Sequence, residues 1–150
     1  MFKSVKHLSI SANTISTFIE YLEDAFIINK TQRYDIKGKS HIDSPFKYYF
    51  SDLGLRNARL NFRQLEETHI LENIIYNELL IRGYSVDIGV VVDRRKGSYS
   101  QKEIDFVVNK GDKRVYIQSA WQMNTTEKIT AELDSLKLAK DFFAKIIIQN

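Results

Sequence analysis

The chain has no cysteine, a single proline and six glycines in 150 residues. Without cysteine there is no disulfide framework and no thiolate metal site, as suits the cytosol. Without Pro- or Gly-rich runs no long flexible linker is expected. No apolar run approaches the roughly 18 residues that a bilayer span needs, and the N-terminus lacks the apolar core of a secretory signal. Charge of one sign is scarce too. The 22 Lys/Arg and 19 Asp/Glu give a formal net charge of +3, and residues 1–48 hold seven basic against five acidic side chains. A dedicated nucleic-acid binder carries a stronger basic bias. His7, His41 and His69 lack the spacing of zinc ligands, Ser119 has no histidine pattern beside it, and no Gly-x-x-x-x-Gly-Lys-Ser/Thr phosphate loop is present. What is there is a globular composition, 43% hydrophobic and 27% charged. It has the length of one ordinary domain or two small ones, and the expectation is a cytoplasmic protein with no membrane association.

Residues 1–8 read as a short helix or the end of one. Ser11 or Asn13 is a candidate N-cap for a second helix, in which Ile15, Phe18, Ile19 and Leu22 keep the i, i+3, i+4, i+7 spacing of a buried face. Residues 26–28 and 32–36 read as strands on either side of 29–31, with 37–40 as a polar loop tip. Helix, turn, helix and ribbon make a winged-helix pattern over residues 1–50. As a DNA reader it would present Asn13, Thr14, Ser16 and Thr17 to bases and Lys30, Arg33, Lys37 and Lys39 to phosphate, against repulsion from Glu20, Glu23 and Asp24. The commoner role of such a segment is protein docking, with the lysines merely solvated. Residues 41–45 read as a loop around Pro45, and residues 51–64 as a connector with a turn at Asp52.

From residue 65 the periodicity is helical up to Arg82, where Gly83 stops it. Advancing about 100° per residue places Ile74, Ile75 and Leu79 on one face with Glu78, and Glu72 at its edge. Either glutamate has nearby arginines as ordinary partners, but a carboxylate on an apolar face also suggests a site. Strands follow at 84–92, 103–108 and 115–121. In the second, Glu103, Asp105 and Val107 point opposite to Ile104, Phe106 and Val108; in the third, Tyr116, Gln118 and Ala120 share a face. Arg94 and Arg95 sit in a basic tip between the first two strands that would suit a phosphate backbone. An amphipathic helix over 126–140, with Ile129, Leu133, Leu136 and Leu138 or Ala139 as core candidates, precedes a fourth strand at 144–149, apolar enough to be internal. The pattern predicts an α/β (α+β) fold with a mixed sheet. It aims Glu72 or Glu78, Asp105 and Gln118 at one spot, a set of hard oxygen ligands such as hydrolytic nucleases use for a divalent ion.

Helix glutamate, strand aspartate and strand Glu/Gln-x-Lys resembles the PD-(D/E)xK restriction-endonuclease-like superfamily. The strings Lys47-Tyr48-Tyr49-Phe50-Ser51-Asp52-Leu53-Gly54-Leu55-Arg56-Asn57, Leu71-Glu72-Asn73, Glu103-Ile104-Asp105-Phe106-Val107 and Tyr116-Ile117-Gln118 resemble more closely one family: the domain of unknown function at the C-terminal end of prokaryotic AAA-type ATPases. That resemblance implies a restriction-endonuclease-like α-β-β-β-α-β core over 65–150 and an ATPase module elsewhere in the longer family protein. It implies a catalytic and metal set of Glu72, Asp105 and Gln118. The chain departs from the pattern at Ala120, where the active nucleases place the lysine that orients water and stabilises charge. Gln118 is also neutral where a charged ligand is expected, so Mg²⁺ would be held weakly. Lys102, beside Glu103, is the substitute amine on offer.

The expectation is a non-catalytic binding or regulatory module with a relic site and no cofactor, working with a protein partner, an ATPase module or DNA. One alternative is a Mg²⁺-dependent DNA nuclease using Glu72, Asp105, Gln118 and Lys102; another is a DNA-binding module without cleavage. The last strand is followed at once by the chain end, which predicts a nuclease-like domain truncated at its C-terminal end and an exposed strand edge through which a homodimer would form.

Overall fold

The computed structural model describes residues 10–63, 66–93 and 100–150, apart from the Ser44 side chain. The helix expected over 1–8 and the tip that carries Arg94 and Arg95 lie outside the described residues. Helix α1 spans Ala12–Asp24 and is followed by β1 (Ile28–Asp35), β2 (Ser40–Phe50), α2 (Leu53–Arg59), α3 (Glu67–Ile81), β3 (Ser85–Asp93), β4 (Ser100–Lys110), β5 (Lys113–Ala120), α4 (Thr126–Leu138) and β6 (Ala144–Gln149). The strands form one six-stranded sheet in the order β2-β1-β3-β4-β5-β6. Neighbours β1/β3 and β5/β6 are parallel and the others antiparallel, so the α/β class with a mixed sheet is what the protein has.

The N-terminal ribbon does not stand apart as a wing. Residues 28–35 are one continuous strand, not two around 29–31, and residues 41–45, expected as a loop, lie within β2. Strand β1 joins the rest of the sheet by pairing Arg33 with Ile88, Tyr34 with Gly89 and Asp35 with Val90. The cause is apolar burial. Tyr34 and Ile36 enter the core on one face of the sheet and Tyr49 on the other, burial that a free two-stranded ribbon cannot supply. Pro45 is accommodated because β2 is an edge strand, and its pairing register jumps between Thr31 and Arg33 across a bulge.

The two remaining large helices cover opposite faces. Helix α3 contributes Ile75, Tyr76 and Leu79 to a cluster with Tyr49, Ile88, Phe106, Val108 and Ile117. Helix α4 contributes Leu136, with Ala139 just beyond it, to a cluster with Tyr34, Ile36, Val91, Ile104, Val107 and Tyr116. Strand β6 is an edge and not internal, with residues 144–146 exposed. Its pairing on one side only follows from its place outside β5. Helix α1 is capped by Ser11, whose Oγ accepts from Thr14 N at 3.1 Å, yet it buries no residue. Asp52 opens a helix and not a turn: its carboxylate accepts from Gly54 N and Leu55 N at 2.7 and 3.1 Å, the N-cap arrangement that starts α2.

Strand β4 departs from strict alternation. Asp87 faces Val107 but Gly89 faces Ile104, so the residues between them, Asp105 and Phe106, stand opposite Ile88 alone. This bulge sends Ile104 and Val107 to the α4 side and Phe106 and Val108 to the α3 side.

Candidate functional site

Helix α3 buries the stripe Glu72, Ile75, Tyr76 and Leu79, an i, i+3, i+4, i+7 set offset from the one expected. Ile74 is half exposed, and Glu78 points outward to pair with Arg82 at 2.6 Å. Glu72 is therefore the carboxylate of the inner face, 6% exposed. Asn73 beside it is buried as well. Its side chain accepts from Phe50 N and donates to Phe50 O, both at 2.8 Å, which locks the end of β2 onto α3.

That lock sets the register of β2 over Glu72. Alternation along β2 brings Lys47 and Tyr49 to the same side. Tyr49 Oη donates to Glu72 Oε1 at 2.6 Å, and Lys47 Nζ lies 2.6 Å from the same oxygen. Lys47 also reaches Glu103 Oε1 at 2.8 Å, and Arg33 of β1 closes on Glu103 Oε2 at 3.0 Å. Glu72 and Glu103 are thus joined through one ammonium. Burial alone would lower the Lys47 pKa; the two glutamates outweigh it and hold the ammonium above its ordinary value. Tyr49 is pushed far above the usual phenol range, first by burial and then by the charge of Glu72.

Asp105 stands next to this group. Its Oδ2 accepts from Ser119 N at 2.7 Å and from Ser119 Oγ at 2.6 Å, and its Oδ1 accepts from Gln118 Nε2 at 3.2 Å. The Gln118 Oε1 in turn accepts from Ser135 Oγ of α4 at 3.4 Å. Burial lifts the Asp105 pKa to about 6 and Glu72 adds to the rise, while the two Ser119 hydrogen bonds and Lys47 oppose it.

Asp105 is thus hydrogen-bonded to Gln118 and within reach of the charge of Glu72, while Gln118 also reaches Ser135 of α4. Lys102 lies elsewhere. It shares the Ile104 side of β4 and pairs with Asp134 of α4 on the other face of the sheet. The basic group of the site is Lys47, with Arg33 behind it, and the pattern of Glu, Asp and Gln gave no hint of either. The signal available was the lysine two residues before Tyr49 in an aromatic strand, on the parity that faces inward.

Of the residues considered for DNA, Asn13, Thr14 and Thr17 are exposed on α1. The Thr14 hydroxyl bonds Ser11 at 2.8 Å, and Thr17 Oγ1 donates to the Asn13 carbonyl at 3.1 Å. Lys37 and Lys39 are exposed on the turn between β1 and β2.

The donor set does not fit a divalent ion in this arrangement. Both Asp105 oxygens accept hydrogen bonds, Glu72 Oε1 is shared by a phenol and an ammonium, and Lys47 supplies the charge a metal would supply. Among the described residues no group of three His, Cys, Asp or Glu is placed to hold a metal.

Comparison with known proteins divides the chain at this site. A domain of unknown function (DUF8612) matches residues 2–66, and a second (DUF4143) matches residues 67–150. Arg33, Lys47 and Tyr49 fall in the first segment; Glu72, Glu103, Asp105, Gln118 and Ser119 fall in the second. An uncharacterized protein of Haemophilus influenzae is 38% identical over 138 residues, 92% of this chain and 32% of the relative. Another, from Methanocaldococcus jannaschii, is 31% identical over 119 residues, 79% of this chain and 25% of the relative. The chain thus spans a third or less of the length of these relatives. No solved structure matches it. With its model covering residues 67–150, more than half of the sequence, the chain belongs to the DUF4143 family of domains of unknown function.

Proposed function

We propose that this chain is a non-catalytic binding or regulatory module, the C-terminal part of an AAA-type ATPase-family protein, and that its PD-(D/E)xK-like site is closed by an internal cation. The observation that carries this reading is Lys47, bound to Glu72 at 2.6 Å and to Glu103 at 2.8 Å. An ammonium held there is fully charged at neutral pH and is no general base. A divalent ion entering beside it meets like charge, and displacing it leaves a lysine without its partners. The length of the curated relatives supports a place within a longer protein.

The second reading is a metal-dependent DNA nuclease. What favours it is the same residue, since Lys47 is an amine among carboxylates where Ala120 provides none. Calorimetric titration with Mg²⁺ and Mn²⁺ separates the two. The module reading expects no metal heat at millimolar ion and no cutting of plasmid DNA. Metal binding that disappears in Asp105→Ala, with DNA cleavage that disappears in Lys47→Met, would establish the nuclease instead.

A further inference from the structure

On the opposite side of the sheet from Glu72 and Asp105, a cavity of about 710 Å³ opens where the turn after β1, the end of β3 and the end of α4 meet. Its floor is apolar, formed by the buried Ile36, Val91 and Ala139 of the α4-side core. Its rim carries Lys37, Lys39 and Lys140. Among the described residues no carboxylate pairs with any of these three lysines. Two acids border the same cavity, but Asp141 already accepts from Tyr116 Oη at 2.6 Å and from Lys145 at 3.4 Å, and Asp93 is not free either.

The turn that presents the lysines is tightly built. Ile36 N donates to Val90 O at 3.1 Å, Lys39 N to Asp35 O at 2.7 Å, and Asp35 Oδ1 accepts from Lys37 N at 3.0 Å. Lys39 sits at φ 55, in the left-handed region, and a Cβ on Gly38 would come within 2.6 Å of Asp35 Oδ2. Strands β1 and β3 run parallel and both end here, and the carboxyl ends of parallel strands are where open α/β sheets take ligands.

We propose that this cavity binds a small phosphate ester with an apolar or planar body, of mononucleotide size. Three ammonium groups around one opening suit a dianion better than a single carboxylate. The apolar floor takes the body, and the volume lies within the range of about 300–1,000 Å³ of small-molecule sites. The inference goes beyond the module reading and uses none of its residues.

The test is titration of the whole chain with AMP, glucose 6-phosphate, adenosine and a short single-stranded oligonucleotide, read by calorimetry and by the methyl resonances of Ile36 and Val91. The expected result is submillimolar binding of AMP with shifts at both methyls, no comparable binding of adenosine, and at least tenfold weakening in Lys37→Gln/Lys39→Gln/Lys140→Gln. The three lysines are exposed, so an unchanged melting curve shows that the variant still folds. The proposal is overturned by AMP and glucose 6-phosphate failing to bind at 10 mM, by affinity that the triple variant leaves unchanged, or by binding of the oligonucleotide alone.

Discussion

Lys47 is the residue on which the charge balance of the site turns. Glu72 is buried, and its neighbours Tyr49 and Lys47 are its hydrogen-bonding and ionic partners on one oxygen. Lys47→Met removes the counter-charge and leaves the carboxylate, which is costlier than removing both. The expected loss is about 2 to 4 kcal/mol of unfolding free energy, discounted because the lysine is partly exposed, with much of it regained in Lys47→Met/Glu72→Gln. Urea denaturation of the two variants measures this. Asp105 makes the complementary prediction for pH. Its folded pKa, raised to about 6, lies above its unfolded value near 3.8, so the folded state binds the proton more tightly. Stability from this group is then greatest below about pH 4 and falls as pH rises through about 6, by on the order of 2 kcal/mol. Subtracting the pH profile of Asp105→Asn from that of the wild type isolates the slope; an identical profile would dismiss it. Glu72, Asp105 and Gln118 could be picked out from sequence because polar residues stand out in apolar helices and strands. Lys47 could not, since its partners lie 25 and 56 positions away and only the folded sheet brings them together. Strand alternation already set Lys102 on the face opposite Glu103, which is where it is found.

The bulge in β4 is the element that departs most from its own periodicity, and Gly89 is why it closes so tightly. A Cβ at Gly89 would come within 2.9 Å of Val107 Cγ2 and 3.0 Å of both Ile104 Cβ and Ile36 Cδ1. Gly89→Ala therefore forces the strands apart at the bulge, with an expected destabilisation of about 1 to 3 kcal/mol in chemical denaturation. Because Asp105 is one of the two bulged residues, the same variant should also flatten the pH dependence argued above. Helix α3 shows a different limit of sequence reading. Its existence and length followed from spacing, but its phase did not, because an apolar Ile74 and a polar Asn73 compete for the inner face. Asn73 wins by bonding both backbone groups of Phe50, a gain invisible until β2 is placed.

At the scale of the whole chain, the order α-β-β-β-α-β from residue 67 onward was readable because each element carries its own local pattern. The union of the N-terminal ribbon with that core was not, because it depends on a parallel pairing across some 55 residues and on burial of Tyr34, Ile36 and Tyr49. A fragment of residues 67–150 would open the β1-facing edge of β3 and strip Glu72 of Lys47 and Tyr49. It should show no cooperative thermal unfolding transition by circular dichroism, whereas the 150-residue chain is expected to show one. The ion pairs between Lys47 and the two glutamates also key the two halves of the chain to each other. The lysine and its acids lie on opposite sides of the boundary between two family segments, so loss of charge on one side penalises the other. Exchanging either segment for one that lacks the matching charge would leave Glu72 or Lys47 without its partner, and only a compatible pair of halves would close this contact.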